Sequence, residues 1–166
     1  MSHPIRRPLL FRTHRGFSLI ELVAVLTMLS ILAVAAAPLA QLSAQRIKEH
    51  ELTLSLQQMR GAIDNYRRAV EEGRVAMKSG ESGYPRKLED LAQGMEDQRD
   101  PDKKKIYFLR SIPTDPFAAP GVTGADSWAR RSYASPPEDP HEGDDVFDIH
   151  SRSEETGLNG IPYRHW

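Results

Sequence analysis

Residues 12–42 read RTHRGFSLIELVAVLTMLSILAVAAAPLAQL. Arg6, Arg7, Arg12 and Arg15 precede Gly16, with no acidic residue among them. Phe17 opens an apolar run in which Glu21 stands alone. From Leu22 to Ala40 only Thr27 and Ser30 interrupt it. With Phe17 to Ile20 the run covers about 20–24 residues, enough for a helix to cross a hydrocarbon core of roughly 30 Å. The basic flank predicts that residues 1–16 stay in the cytoplasm and that the C-terminal domain is sent across the membrane.

Two fates compete for such a segment. A cleaved secretory signal has an apolar stretch of only about 7–15 residues, ending in small side chains; Ala33 to Ala37 offer such side chains. A retained membrane helix fits better. The run is too long for an ordinary signal, the helical pattern continues beyond Pro38, and a carboxylate near the start is foreign to signal segments. Pro38 lacks an N–H and clashes with the preceding turn, which predicts a loosened turn and a pliable hinge between anchor and domain.

Gly16-Phe17-Ser18-Leu19-Ile20-Glu21-Leu22 resembles the class III leader junction of type IV pilins and type II secretion pseudopilins. The resemblance implies that a membrane prepilin peptidase cuts after Gly16 and methylates the amine of Phe17. Glu21 falls on the family's helix acid, and Pro38 on its helix proline. The physics agrees. An unpaired Glu near a helix end in lipid costs on the order of 1–3 kcal/mol, and a partner cation offsets that cost. A freed Phe17 amine can pair with Glu21 of a neighbouring subunit when the helices stack in a staggered filament. The bland alternative is Glu21 snorkelling to the headgroups; the flanking motif favours assembly.

From Gln41 to Glu72 the pattern becomes amphipathic. Leu52, Leu56, Met59, Ile63, Tyr66 and Val70 recur at steps of three and four, one stripe of a helix. Arg46, Lys48, Glu49, Glu51, Arg60, Asp64, Arg67, Arg68 and Glu71 mostly take other faces, and Gly73 is placed to end the helix. The stripe is too short for a coiled coil and lacks systematic flanking charges, so it is expected to pack on the chain's own sheet. One helix of about 55 residues is expected, from membrane to head.

Beyond it, residues 74–83 read as a loop and Arg86–Gln93 as a short helix ended by Gly94. Ile106–Leu109 reads as a buried segment, and Ile112-Pro113-Thr114-Asp115-Pro116-Phe117 as rigid, since two prolines fix φ and Asp115 must be extended. Arg130–Ser135 and Val146–Ser151 read as strands. PPEDPHEGDD between them is a surface loop. The tail is expected to be a coil laid on the core by Leu158, Ile161, Tyr163 and Trp166.

This half resembles the major pseudopilins of type II secretion. The matching stretches are Gly83-Tyr84-Pro85 with Leu88 and Leu91, Phe108 to Phe117, Trp128 with Tyr133, Phe147 to Ser151, and Gly157 to Tyr163 before Trp166. The resemblance implies an α+β, type IV pilin-like fold. A long N-terminal helix would pack on a small antiparallel sheet with an irregular C-terminal coil. The expected divisions are a leader (1–16), a transmembrane and filament-core helix (17–40) and a periplasmic domain (41–166). The last comprises an amphipathic helix (41–72) and a small head (84–166).

Many major pseudopilins hold calcium in the C-terminal loop. Asp148, Ser151, Ser153, Glu154, Glu155 and Asn159 are the oxygen donors here. Calcium takes about 6–8 oxygens, several charged, and this tail lacks dense Asp-Gly runs and regular ligand spacing. A loop held by glycine turns and aromatic packing is the favoured reading, so no cofactor is expected. Glu138, Asp139, Glu142, Asp144, Asp145 and His141 are spaced irregularly and read as a solvated loop. His150 reads as a sheet residue, and His165 has no partner spacing. Lys103–Lys105 reads as a solvated edge.

The chain has no cysteine, which excludes disulfides and thiolate chemistry. Subtracting the four leader arginines from a net charge of −1 leaves −5, and the remaining basic residues are scattered, which argues against nucleic acid as a partner. No nucleophile–base set is framed by turn geometry, so no enzyme is expected. The expected partners are copies of the chain in a helical filament, other pseudopilins, prepilin peptidase, the inner-membrane secretion platform, and lipid before assembly. The alternatives are a pilin or minor pilin of a surface type IV pilus, and a periplasmic enzyme or binding module on an uncleaved tether. Cysteine pairs are common in surface pilins, and their absence favours the pseudopilin.

Overall fold

A computed structural model describes residues 16–166. The leader residues before Gly16, with Arg6, Arg7, Arg12 and Arg15, lie outside the described residues. The architecture is α+β: one long N-terminal helix and small antiparallel sheets, consistent with a pilin-like fold. The chain divides into two compact units, Met1–Leu42 and Ser43–Trp166.

Helix α1 spans Leu19–Glu71 and runs through Pro38 without a break. Gly73 ends it in the left-handed region, at φ +68°. Gly73 N donates to Val70 O (2.9 Å) and Arg74 N to Ala69 O (2.8 Å), which satisfies two terminal carbonyls in a Schellman arrangement. The expected helix therefore forms, and the expected glycine stops it.

In the second unit the apolar stripe of α1 meets the rest of the head. Leu52, Leu56, Met59, Ile63 and Tyr66 are buried with Leu88, Leu91, Leu109, Trp128, Val146, Ile149 and Tyr163. Val70, the last residue of the stripe, is only partly buried against this core. Immediately after the cap, Arg74 pins the next element. Its Nε and Nη2 donate to Asp97 Oδ2 at 3.0 and 2.8 Å, and its carbonyl accepts from Gln98 N at 2.8 Å. The Arg74 hydrogen bonds hold the Asp97 carboxyl below its ordinary pKa.

Helix α2 is Glu89–Gln93, shorter than the expected Arg86–Gln93. The Asp90 carboxylate reaches back to accept from Lys87 N at 3.1 Å, as at a helix start, so the helix begins beyond Lys87 and not at Arg86. Strands β1 (Met95–Glu96) and β2 (Lys105–Ile106) pair antiparallel. The stretch expected to be buried, Ile106–Leu109, alternates instead: Leu109 is buried while Tyr107 is exposed.

Strands β3 (Trp128–Arg131) and β4 (Asp148–Ser151) pair antiparallel, Trp128 opposite Ser151 and Arg131 opposite Asp148. The expected single sheet is thus two separate two-stranded ribbons. β3 also starts and stops earlier than the expected Arg130–Ser135. Asp145 Oδ1 accepts from Ser132 Oγ (2.9 Å) and from Tyr133 N (2.8 Å), which turns the chain at Ser132. Asp145 is therefore a structural acceptor within a loop that is otherwise largely exposed. In the tail, Tyr163 is buried and Trp166 packs against the core, but Leu158 and Ile161 point outward, contrary to expectation.

Candidate functional site

Between Gly16 and Leu42 every side chain whose burial is described is exposed. Phe17 is 80% exposed and the run of large apolar residues continues to Leu39. Glu21 is exposed in the first turn of α1. The two hydroxyls of the run are satisfied within the helix: Thr27 Oγ1 donates to Val23 O at 2.7 Å and Ser30 Oγ to Leu26 O at 2.8 Å. Such back-bonding lets a hydroxyl sit in hydrocarbon without an orphan donor. The helix is long and apolar enough to cross a membrane. Gly16 has open space where a Cβ would stand.

The head supplies a second set of interactions, which fasten the tail to α1. Glu49 Oε1 accepts from Leu158 N (2.8 Å), Tyr163 Oη (2.9 Å) and Gln45 Nε2 (3.2 Å). Burial pushes the Tyr163 phenol above its ordinary pKa, so it stays a donor. Tyr163 stacks on Phe117 at 4.0 Å between centroids and meets Trp166 edge-on at 5.2 Å. A Cβ at Gly157 would stand 2.6 Å from Trp166 Cζ2, so glycine is required for the tail to fold back.

The calcium candidates do not converge. Asp148 Oδ1 is bonded to Arg60 at 2.8 Å, and Oδ2 lies 3.8 Å from Arg131. Ser151 Oγ donates to the buried Asp115 at 2.6 Å and accepts from Ser153 N at 3.1 Å. Ser153 Oγ accepts from Glu155 N, and Asn159 Oδ1 from Ile161 N. Glu154 is exposed. Among the described residues no three His, Asp or Glu side chains form a metal-sized group. In the acidic loop, Glu142 pairs with Arg130 at 2.8 Å and Arg152 at 3.5 Å, and the His141 ring nitrogen Nδ1 lies 2.9 Å from Asp139 O. His150 lies in β4, as read from the sequence.

Sequence reasoning did not single out Glu49, Arg60 or Asp115. The first two sat among the charges assigned to the helix's solvent faces. Asp115 carried a signal, the rigid IPTDPF stretch, but nothing in it announced burial.

A family model described as the prokaryotic N-terminal methylation motif matches residues 11–37. The chain therefore carries a pilin-like prepilin signal, which indicates a substrate of prepilin peptidase. The match ends inside the anchor and leaves the head untouched. No curated protein and no solved structure matches the chain.

Proposed function

We propose that the chain is a pseudopilin, a structural subunit of a type II secretion machine. Prepilin peptidase cuts between Gly16 and Phe17 and methylates the new amine. The leader (1–16) stays in the cytoplasm, residues 17–40 cross the inner membrane, and residues 41–166 form the periplasmic domain. The subunit is stored in lipid and then transferred into a bundle of identical helices, with other pseudopilins and the inner-membrane platform as partners. Glu21 orients the transfer by pairing with the Phe17 amine of a neighbour, and Pro38 gives the anchor its hinge. The role is structural, without chemistry of its own.

The observation that carries this reading is the methylation motif over residues 11–37 running into a helix whose described anchor side chains are all exposed. Those apolar side chains need either lipid or other helices around them. Within pilin-like proteins, the ordered series of head stretches from Gly83 to Trp166 favours the pseudopilin over the surface pilin. Mass spectrometry of the mature protein tests the core of the proposal. N-methyl-Phe17 at the N-terminus is expected; an intact Met1, or a cut near Ala37, overturns it. Assembly that requires a secretin-linked secretion operon, and not a pilus operon, distinguishes pseudopilin from pilin.

A further inference from the structure

A cleft of about 890 Å³ opens between two loops of the Ser43–Trp166 unit, a volume typical of small-ligand sites. One wall runs from Lys78 to Arg86 and the other from Ser132 to Asp145. Both walls are fixed by their own hydrogen bonds. Glu81 Oε2 accepts from Lys78 N at 2.8 Å, and its other oxygen pairs with Arg86. Across the cleft, Ser132 N donates to His141 O at 3.0 Å, and Asp145 Oδ1 accepts from Ser132 Oγ and Tyr133 N. Gly143 lies so close to Ser132 that a Cβ would stand 2.8 Å from its side chain. Walls held in this way need little further ordering when a ligand binds.

Two tyrosines line the cleft. Tyr84 has the Arg67 guanidinium 5.2 Å from its ring centre and stacks on Tyr133 at 5.5 Å. Phe147 meets the two rings edge-on, at 5.0 Å from Tyr84 and 5.4 Å from Tyr133. Although packed against both neighbours, Tyr133 is 61% exposed. Its ring is a fixed aromatic platform open to the cleft.

Most charges around this platform are paired. Glu81 is held by Arg86, and Glu142 by Arg130 at 2.8 Å and Arg152 at 3.5 Å. Asp145 closes its own loop, and Glu138 and Asp139 lie outside the lining. Lys78, Asp144 and His141 are exposed. Among the described residues, nothing bonds the Lys78 ammonium, the Asp144 carboxylate or Nε2 of His141, whose Nδ1 lies by Asp139 O. They offer a donor, an acceptor and a nitrogen that is either, according to tautomer. The lining has no Leu, Ile, Val or Met, so an apolar ligand finds little to bury against. Four lining carboxylates outnumber the cations Lys78 and Arg86, which disfavours an anion. A cation meets one unpaired carboxylate and, from the other wall, one unpaired ammonium. A neutral, hydroxyl-rich ligand with one apolar face suits all of these groups. A pyranose has that form: its C–H face packs on an aromatic ring, and each hydroxyl both donates and accepts.

The geometry points to a glycan-binding cleft, in which a sugar ring stacks on Tyr133 while Lys78, Asp144 and His141 bond its hydroxyls. The site lies wholly within the Ser43–Trp166 unit and is independent of the filament role proposed above.

Saturation-transfer NMR tests the site on the full chain in nanodiscs of phosphatidylethanolamine and phosphatidylglycerol, with chitotetraose and cellotetraose as probes. Irradiation of the protein's aromatic protons is expected to reach the ring protons of at least one sugar. Transfer to chitotetraose alone identifies an N-acetylated glycan, and transfer to both a β-linked glycan without that requirement. Tyr133→Ala is expected to lower the transfer several-fold. The double variant Lys78→Ala/Asp144→Ala is expected to do the same; it lies on the exposed rim, clear of the core, and decides the matter even if Tyr133→Ala fails to fold. Transfer to neither sugar, or transfer undiminished in either folded variant, overturns the site.

Discussion

Arg60 Nε donates to Asp148 Oδ1 at 2.8 Å, and the same guanidinium reaches Ile149 O at 3.1 Å and the main-chain oxygen of Trp166 at 2.8 Å. One side chain of α1 thus holds strand β4 and the last residue of the chain together. The two partners of the ion pair are 40% and 31% exposed, so the charge pair alone contributes at most about 1 kcal/mol. The two main-chain acceptors carry more of the effect. Arg60→Ala is expected to destabilise the head by about 1–3 kcal/mol. Asp148→Asn, which leaves both main-chain bonds in place, is expected to cost about 0.5 kcal/mol. Urea unfolding at neutral pH measures both, and equal losses would mean that the carboxylate, not the main chain, is what Arg60 serves.

Glu49 is the tail's other fastening, and its effect is local. Glu49→Ala removes the acceptor for Leu158 N and Tyr163 Oη, leaving a buried phenol with Gln45 as its remaining partner. A loss of about 1–2 kcal/mol is expected. It should be concentrated in residues 156–166, which hydrogen exchange resolves as faster exchange at Leu158 with little change at Leu52 or Met59. Uniform acceleration across the core would show that the tail and core unfold as one unit.

The helix was legible because its signals are local. The three-and-four stripe from Leu52 to Tyr66, the basic flank before Phe17 and the stop at Gly73 each follow from neighbours in sequence. β3 was misplaced because its end is set by Asp145, whose carboxylate turns the chain at Ser132 from thirteen residues away. No propensity of residues 130–135 encodes that. Glu49 and Arg60 were hidden for a related reason. A charged residue off the apolar stripe is usually solvated, and only the return of the tail makes these two into acceptor and clasp. The outward Leu158 and Ile161 likewise follow from the Gly157–Gly160 turn. It brings Tyr163 inward and leaves them outside.

His150 contributes to the pH response of the head between pH 7 and pH 5. Burial in β4 lowers its pKa below the ordinary 6.5; Asp148 works the other way, and Arg152, Arg60 and His165 add to the lowering. The unfolded chain therefore takes up the proton first. The stability contributed by the neutral ring is complete above about pH 6.5 and is lost as pH falls toward and through the folded-state value. Melting temperature is expected to decline from pH 7 to pH 5 more steeply in the native sequence than in His150→Gln. Parallel curves would show that the imidazole titrates alike in both states.

Glu21 is the residue at which the proposed processing and the proposed assembly can be told apart. Its carboxylate lies in the first turn of α1, four residues after Phe17 and exposed to whatever surrounds the anchor. On the proposed function, the cut after Gly16 needs only the junction, whereas pairing with a staggered neighbour's amine needs the charge. Glu21→Ala removes an interaction of about 1–3 kcal/mol in lipid-like surroundings, and each 1.4 kcal/mol is a factor of about ten in an equilibrium. The variant is therefore expected to carry N-methyl-Phe17 at near-native yield while its assembled fraction falls about tenfold or more, read by mass spectrometry and by sedimentation of sheared filaments. Unchanged assembly with normal processing removes Glu21 from the mechanism. Lost processing instead moves its role to recognition by the peptidase.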